Sequence, residues 1–96
     1  MNKKTITIKR LHLYYKGSVQ GIGFRYTAER IAGSLNLTGW ARNLPDGRVE
    51  AVIEGREPDI EIFLTKINEI FKGYVRDIDT EWSEAAGEFA NFDIRF

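Results

Sequence analysis

The 96-residue sequence has no cysteine, one histidine, one methionine and two prolines. Without cysteine there is no disulfide staple, no thiolate nucleophile and no soft metal ligand. A single imidazole rules out a histidine-rich metal centre, and His12, alternating with apolar neighbours, reads as structural. Neither sign of charge is in excess: 14 Lys and Arg balance 14 Asp and Glu. That balance argues against a nucleic-acid footprint over the whole surface. No apolar run approaches the roughly 18 residues of a membrane span, and the opening segment lacks a signal-peptide core, so no membrane partner and a cytoplasmic location are expected. A 43% hydrophobic content in so short a chain supports one core, and a single domain over residues 1–96 is expected.

What is present is unevenly placed. Residues 1–28 carry Lys3, Lys4, Lys9, Arg10, Lys16 and Arg25 without an acid, whereas residues 77–96 carry six acids against Arg95 alone. A small anion would favour the N-terminal segment. Leu11, Leu13 and Tyr15 alternate with His12, Tyr14 and Lys16, which predicts a strand over Arg10 to Lys16. Phe24, Ala28, Ile31, Ala32 and Leu35 recur at helical spacing, with Asn36 as the stop signal. Thr38 to Asn43 and Arg48 to Glu54 form a predicted hairpin around Leu44-Pro45-Asp46-Gly47, a type I turn with a following bulge.

A second helix opens at Pro58 and ends before Gly73, its apolar stripe being Ile60, Phe63, Leu64, Ile67, Ile70 and Phe71. Tyr74 to Trp82 reads as a strand, Ser83 to Asn91 as a loop and Phe92 to Phe96 as a short terminal strand. The order β-α-β-β-α-β plus a short strand predicts an α+β, ferredoxin-like split βαβ fold, an antiparallel sheet with two helices on one face. Such a fold by itself names no function.

Between the first strand and first helix lies Gly17-Ser18-Val19-Gln20-Gly21-Ile22-Gly23. A glycine-rich loop entering a helix N-terminus offers unpaired N–H groups and a positive dipole end, suited to phosphate or carboxylate. Arg25, in the first helical turn, adds a planar fork that grips phosphate oxygens bidentately. Nucleotide fingerprints are absent: no Gly-Lys-Ser/Thr ends the loop, and a dinucleotide turn would need another glycine.

Gly17 to Arg25 resembles the acylphosphatase signature G-x-V-Q-G-V-x-F-R, and Gly39 to Val49 resembles that family's second block, G-x-V-x-N-x-x-D-G-x-V. The likeness extends through the second helix to the closing strand. Ile22 and Ala41 stand where valine is usual, and Lys3 to Lys9 looks like an N-terminal extension. The resemblance implies that Arg25 and the backbone amides of Ser18, Val19, Gln20, Gly21, Ile22 and Gly23 hold a phosphoryl group while Asn43 positions the attacking water. It implies hydrolysis of a small acyl phosphate to carboxylate and phosphate, the phosphate acting also as inhibitor, with no metal or organic cofactor.

From position alone, Asn43 reads as a turn residue and Ser18 as a loop hydroxyl without a base. Asp77, Asp79 and Glu81 read as a solvated strand face, and Trp40, Trp82 and the terminal phenylalanines as core. A monomer is the default expectation. Two rivals stay open: a non-catalytic ferredoxin-like module that binds anions or RNA, and an accessory acylphosphatase-like domain serving a carbamoyl-transfer partner.

Overall fold

The computed structural model describes residues 7–96, so Lys3 and Lys4 lie outside the described residues. The elements are β1 (Ile8–Gly17), α1 (Phe24–Ser34), β2 (Thr38–Asn43), β3 (Val49–Arg56), α2 (Glu57–Ile70), β4 (Val75–Glu84) and β5 (Phe92–Arg95). This is the order expected from the sequence.

Helix α1 turns Phe24, Ala28, Ile31 and Ala32 inward. It stops because Asn36 takes a left-handed φ of 57°. The Leu37 N–H then reaches back to the Ala32 carbonyl at 2.9 Å and the Asn36 N–H to Gly33 at 3.3 Å, the paired bonds of a Schellman cap. Helix α2 starts on Glu57 and carries Pro58 in its first turn, with Glu57 and Asp59 at its positive end, and buries Ile60, Phe63 and Ile67. Ile70, expected in the apolar stripe, is instead exposed, because at helical spacing it falls on the margin of the face set by Ile60, Ile67 and Phe71.

The sheet order is β4-β1-β3-β2-β5. Leu11, Leu13 and Tyr15 of β1 share one core with Val49, Ala51 and Ile53 of β3 and with the inward residues of both helices, so both helices cover the same face. The opposite face carries Arg10, His12 and Tyr14 beside Glu50 and Glu54. The sequence predicts an antiparallel sheet, but the observed sheet is mixed: β5 runs parallel to β2, pairing Phe92 with Gly39 and Ile94 with Ala41. That pairing follows from the connection, which leaves the β4 edge and reaches the far edge by passing over β1 and β3. Strand β4 also continues through Ser83 and Glu84, which pair with Arg10 and Lys9, so the loop is shorter than expected. No helix among the described residues is long and apolar enough to cross a membrane.

Of the aromatics expected in the core, Phe92 is buried, whereas Trp82 is exposed on the β4 edge and Phe96 is 92% exposed. Trp40 lies half-buried on the open face, with the Arg42 and Arg95 guanidiniums 5.3 and 4.6 Å from its ring.

Candidate active site

The site begins where β1 breaks its register with β4 between Lys16 and Gly17. Gly17 has φ +130°, and a Cβ there would collide with the Tyr74 backbone, so the bulge requires glycine. The chain leaves the sheet at this point. The Ser18 N–H donates to the Tyr74 carbonyl at 2.9 Å, tying the loop's first residue to the end of the α2–β4 connection. Val19 is fully buried and Ile22 packs against the core, which anchors the loop from below. Gly23 caps α1 with φ 79°, and its carbonyl accepts the Thr27 N–H at 3.0 Å, starting the helix.

Among the described residues, the N–H groups of residues 19–23 meet no backbone acceptor. The first turn of α1 contains no acid and no side-chain cap. A loop of free donors thus runs into an uncompensated positive helix end, a setting that attracts anions.

Arg25 projects from that first turn. Its Nη1 donates to the Arg95 carbonyl at 3.1 Å, and the guanidinium carbon lies 4.9 Å from the Phe96 ring. Strand β5 therefore holds one terminal nitrogen of the fork, leaving Nη2 and Nε to a ligand, without a carboxylate to neutralise the charge. Asn43 is the last residue of β2, its backbone paired with Val49. The turn behind it is closed by Leu44 N–H to the Arg48 carbonyl at 2.8 Å and Gly47 N–H to the Leu44 carbonyl at 3.1 Å. The Arg48 N–H at its carboxylate holds Asp46 below the usual carboxylate range and fixes the turn's tip.

Val19, Gly21, Gly23, Phe24, Arg25, Tyr26 and Asn43 together line a cavity of about 150 Å³. Three of the loop residues expected at the site do not line it. Ser18 departs furthest, because its N–H is already engaged by Tyr74. Ile22 faces the core, and Gln20 turns its side chain to the hairpin, where Nε2 donates to the carbonyls of Leu44 at 2.7 Å and Arg48 at 3.0 Å. That link has no local sequence signal, since the partners lie 24 and 28 residues away. Tyr26 is a lining residue that sequence reasoning missed; its position directly after Arg25 was the available cue.

Larger clefts of about 580 and 530 Å³ lie on the open sheet face and along the β4 edge. Neither contains the glycine loop or Asn43, so size is a poor guide to the chemistry here. The small cavity presents one cation, one amide side chain and backbone donors, and no carboxylate or imidazole. Among the described residues, no group of three or more His, Cys, Asp or Glu side chains converges anywhere. The arrangement can grip a tetrahedral oxyanion and hold a neutral molecule beside it.

The family model described as acylphosphatase matches residues 11–94. An acylphosphatase of Methanospirillum hungatei is 40% identical over 90 residues, covering 92% of this chain and 98% of that protein. The crystal structure of acylphosphatase from Bacillus subtilis superposes with a TM-score of 0.84 at 32% identity, over 92% of this chain and 99% of that one. A full-length HypF solved in a phosphate- and nucleotide-bound form also matches, with a TM-score of 0.82 at 27% identity, over 99% of this chain but 13% of that one. Because the family match takes in both sequence blocks and every element that brings them together, this chain belongs to the acylphosphatase family and hydrolyses the carboxyl-phosphate bond of acyl phosphates.

Proposed function

We propose that the cavity at the start of α1 binds the phosphoryl end of a small acyl phosphate, with Arg25 and the N–H groups of Val19 to Gly23 gripping its oxygens and Asn43 orienting the attacking water. The observation that carries this reading is the convergence of a guanidinium, a loop of free N–H donors and an amide side chain on one cavity of about 150 Å³. Pockets that enclose whole drug-sized ligands are roughly 300 Å³ or more, so only the phosphoryl end fits and the acyl group lies outside. Specificity then rests on the phosphate, and several small acyl groups are accepted.

In the reaction, the water oxygen held by Asn43 attacks phosphorus while the bond from phosphorus to the carboxyl oxygen breaks. The carboxylate leaves with the electron pair, and the water proton passes to an oxygen of the phosphoryl group itself. Phosphoryl transfer asks mainly for alignment and charge stabilisation, and a carboxylate leaves readily. That explains a site with no general base: Arg25 and the amides stabilise charge on the equatorial oxygens, and Asn43 supplies direction.

The protein acts in this reading as a one-domain monomer in the cytoplasm without a membrane partner, and its balance of 14 Lys and Arg against 14 Asp and Glu supports the absence of a nucleic-acid partner. The match over 98% of the Methanospirillum protein favours an enzyme over a binding module or an accessory domain. The donor set at the site leaves no role for a metal, because Arg25 already supplies the positive charge. Phosphate release from acetyl and benzoyl phosphate should therefore proceed unchanged in excess EDTA. Loss of turnover on chelation, restored by one divalent metal, would overturn the metal-independent reading; failure to release phosphate from either compound would overturn the substrate class.

A further inference from the structure

We infer that Gln20 is a positioning residue that sets the distance between the two halves of the site, the phosphate loop and the hairpin that carries Asn43. The inference rests on the roles just proposed for Arg25 and Asn43. Its basis is the pair of hydrogen bonds from Gln20 Nε2 to the carbonyls of Leu44, 2.7 Å, and Arg48, 3.0 Å. One amide nitrogen thereby spans the mouth of the turn, using both its protons on the two residues that close it. Leu44 directly follows Asn43, and Gln20 sits between Val19 and Gly21, both of which line the cavity. Among the described residues, no other side-chain hydrogen bond joins the loop at residues 17–23 to the segment 43–48.

The bond geometry shows why this is more than support for the turn. Both carbonyls have backbone partners already, that of Leu44 accepting from the Gly47 N–H at 3.1 Å and that of Arg48 accepting from the Leu44 N–H at 2.8 Å. Removing the Gln20 donor therefore leaves no orphaned carbonyl, and the hairpin stays closed. What is lost is the register between hairpin and loop. A water aimed at phosphorus has to lie in line with the leaving oxygen, and misplacement by about 1 Å costs about 10²-fold in rate.

The test is a double-mutant cycle in kcat and in inhibition by inorganic phosphate, with benzoyl phosphate as substrate. Gln20→Met keeps length and shape but removes the donors. It should lower kcat by about 10- to 100-fold, while the phosphate inhibition constant moves by less than about 2-fold. In an Asn43→Ala background the same change should cost less than about 2-fold in kcat, because the group it positions is already gone. Gln20→His, which places a ring N–H at similar reach, should recover part of the rate. Thermal unfolding of each variant confirms that equal amounts of folded protein are compared.

Additive losses in the double variant, or a fall in phosphate affinity parallel to kcat, would overturn the inference and make Gln20 a member of the phosphate loop. A Gln20→Met enzyme with full kcat would overturn it as well. If Asn43→Ala alone kept full kcat, the fault would lie in the proposed role of Asn43, and the positioning role would fall with it.

Discussion

Tyr15 carries a buried hydroxyl with no hydrogen-bond partner among the described residues. Its ring is fully buried on β1, 4.7 Å from Phe24, and burial pushes its phenol well above the ordinary range. The ring contributes packing, whereas the hydroxyl contributes only the cost of leaving water. Tyr15→Phe should therefore raise stability by about 1 kcal/mol, or roughly 4–8 °C in Tm for a domain of this size. Thermal unfolding checks it, and a lowered Tm would show that the hydroxyl is satisfied. At this scale the sequence was informative wherever a residue's role is local. Asn36 as a helix stop and Gly47 as the φ 98° position of the turn were readable because each acts on its own backbone. Gln20 and Ser18 were not, because the groups they bond, Leu44, Arg48 and Tyr74, come close only in the folded chain.

Between residue and molecule, the β4–β5 connection shows how a buried charge can organise an element. Glu54 is 3% exposed on the open face. Its carboxylate accepts Arg10 Nε at 2.7 Å, the Ala86 N–H at 2.9 Å and the Gly87 N–H at 3.1 Å. Arg10 also reaches Glu88 at 2.8 Å and lies 5.3 Å from the Phe89 ring. The connection is thus pinned over β1 and β3 before β5 joins β2. Burial pushes the Glu54 carboxyl up, but the Ala86 N–H, Arg10 and the Gly87 N–H together outweigh it and hold it below its ordinary value of 4.5. A lowered folded-state value means the stabilisation is present above the unfolded value and fades as pH falls through the folded one. Glu54→Gln should cost about 1–3 kcal/mol near neutral pH and much less once the pH has fallen below the lowered folded-state value. Urea unfolding at both pH values checks this, and an equal loss at both would contradict it. Strand and helix identities were legible from periodicity, β2 to the residue. The parallel β5 pairing was not, since four residues carry no signal of which edge they join. Trp82 escaped for a related reason: an apolar residue on an edge strand alternates like a core residue.

Over the whole molecule, the site draws on nearly every element. The loop follows β1, Arg25 belongs to α1, Asn43 ends β2, the Tyr74 carbonyl opens the approach to β4, and the Arg95 carbonyl of β5 steadies the guanidinium. The ferredoxin-like order brings β1 and β2 to the same end of the sheet although they flank β3. That is why two sequence blocks some twenty residues apart meet at one cavity. The blocks themselves were legible; the division of labour inside the first was not, because a run of small residues does not show which amides fold outward. The central claim is that Arg25 grips the phosphoryl group with a bidentate fork that charge alone cannot replace. The most direct measurement is kcat/KM for benzoyl phosphate, with phosphate inhibition, in Arg25→Ala and the charge-matched Arg25→Lys. Arg25→Ala should lose on the order of 10³-fold or more in kcat/KM, with weakened phosphate inhibition and no recovery to wild-type rates in Arg25→Lys. An Arg25→Lys enzyme with near wild-type kinetics and phosphate inhibition would contradict it.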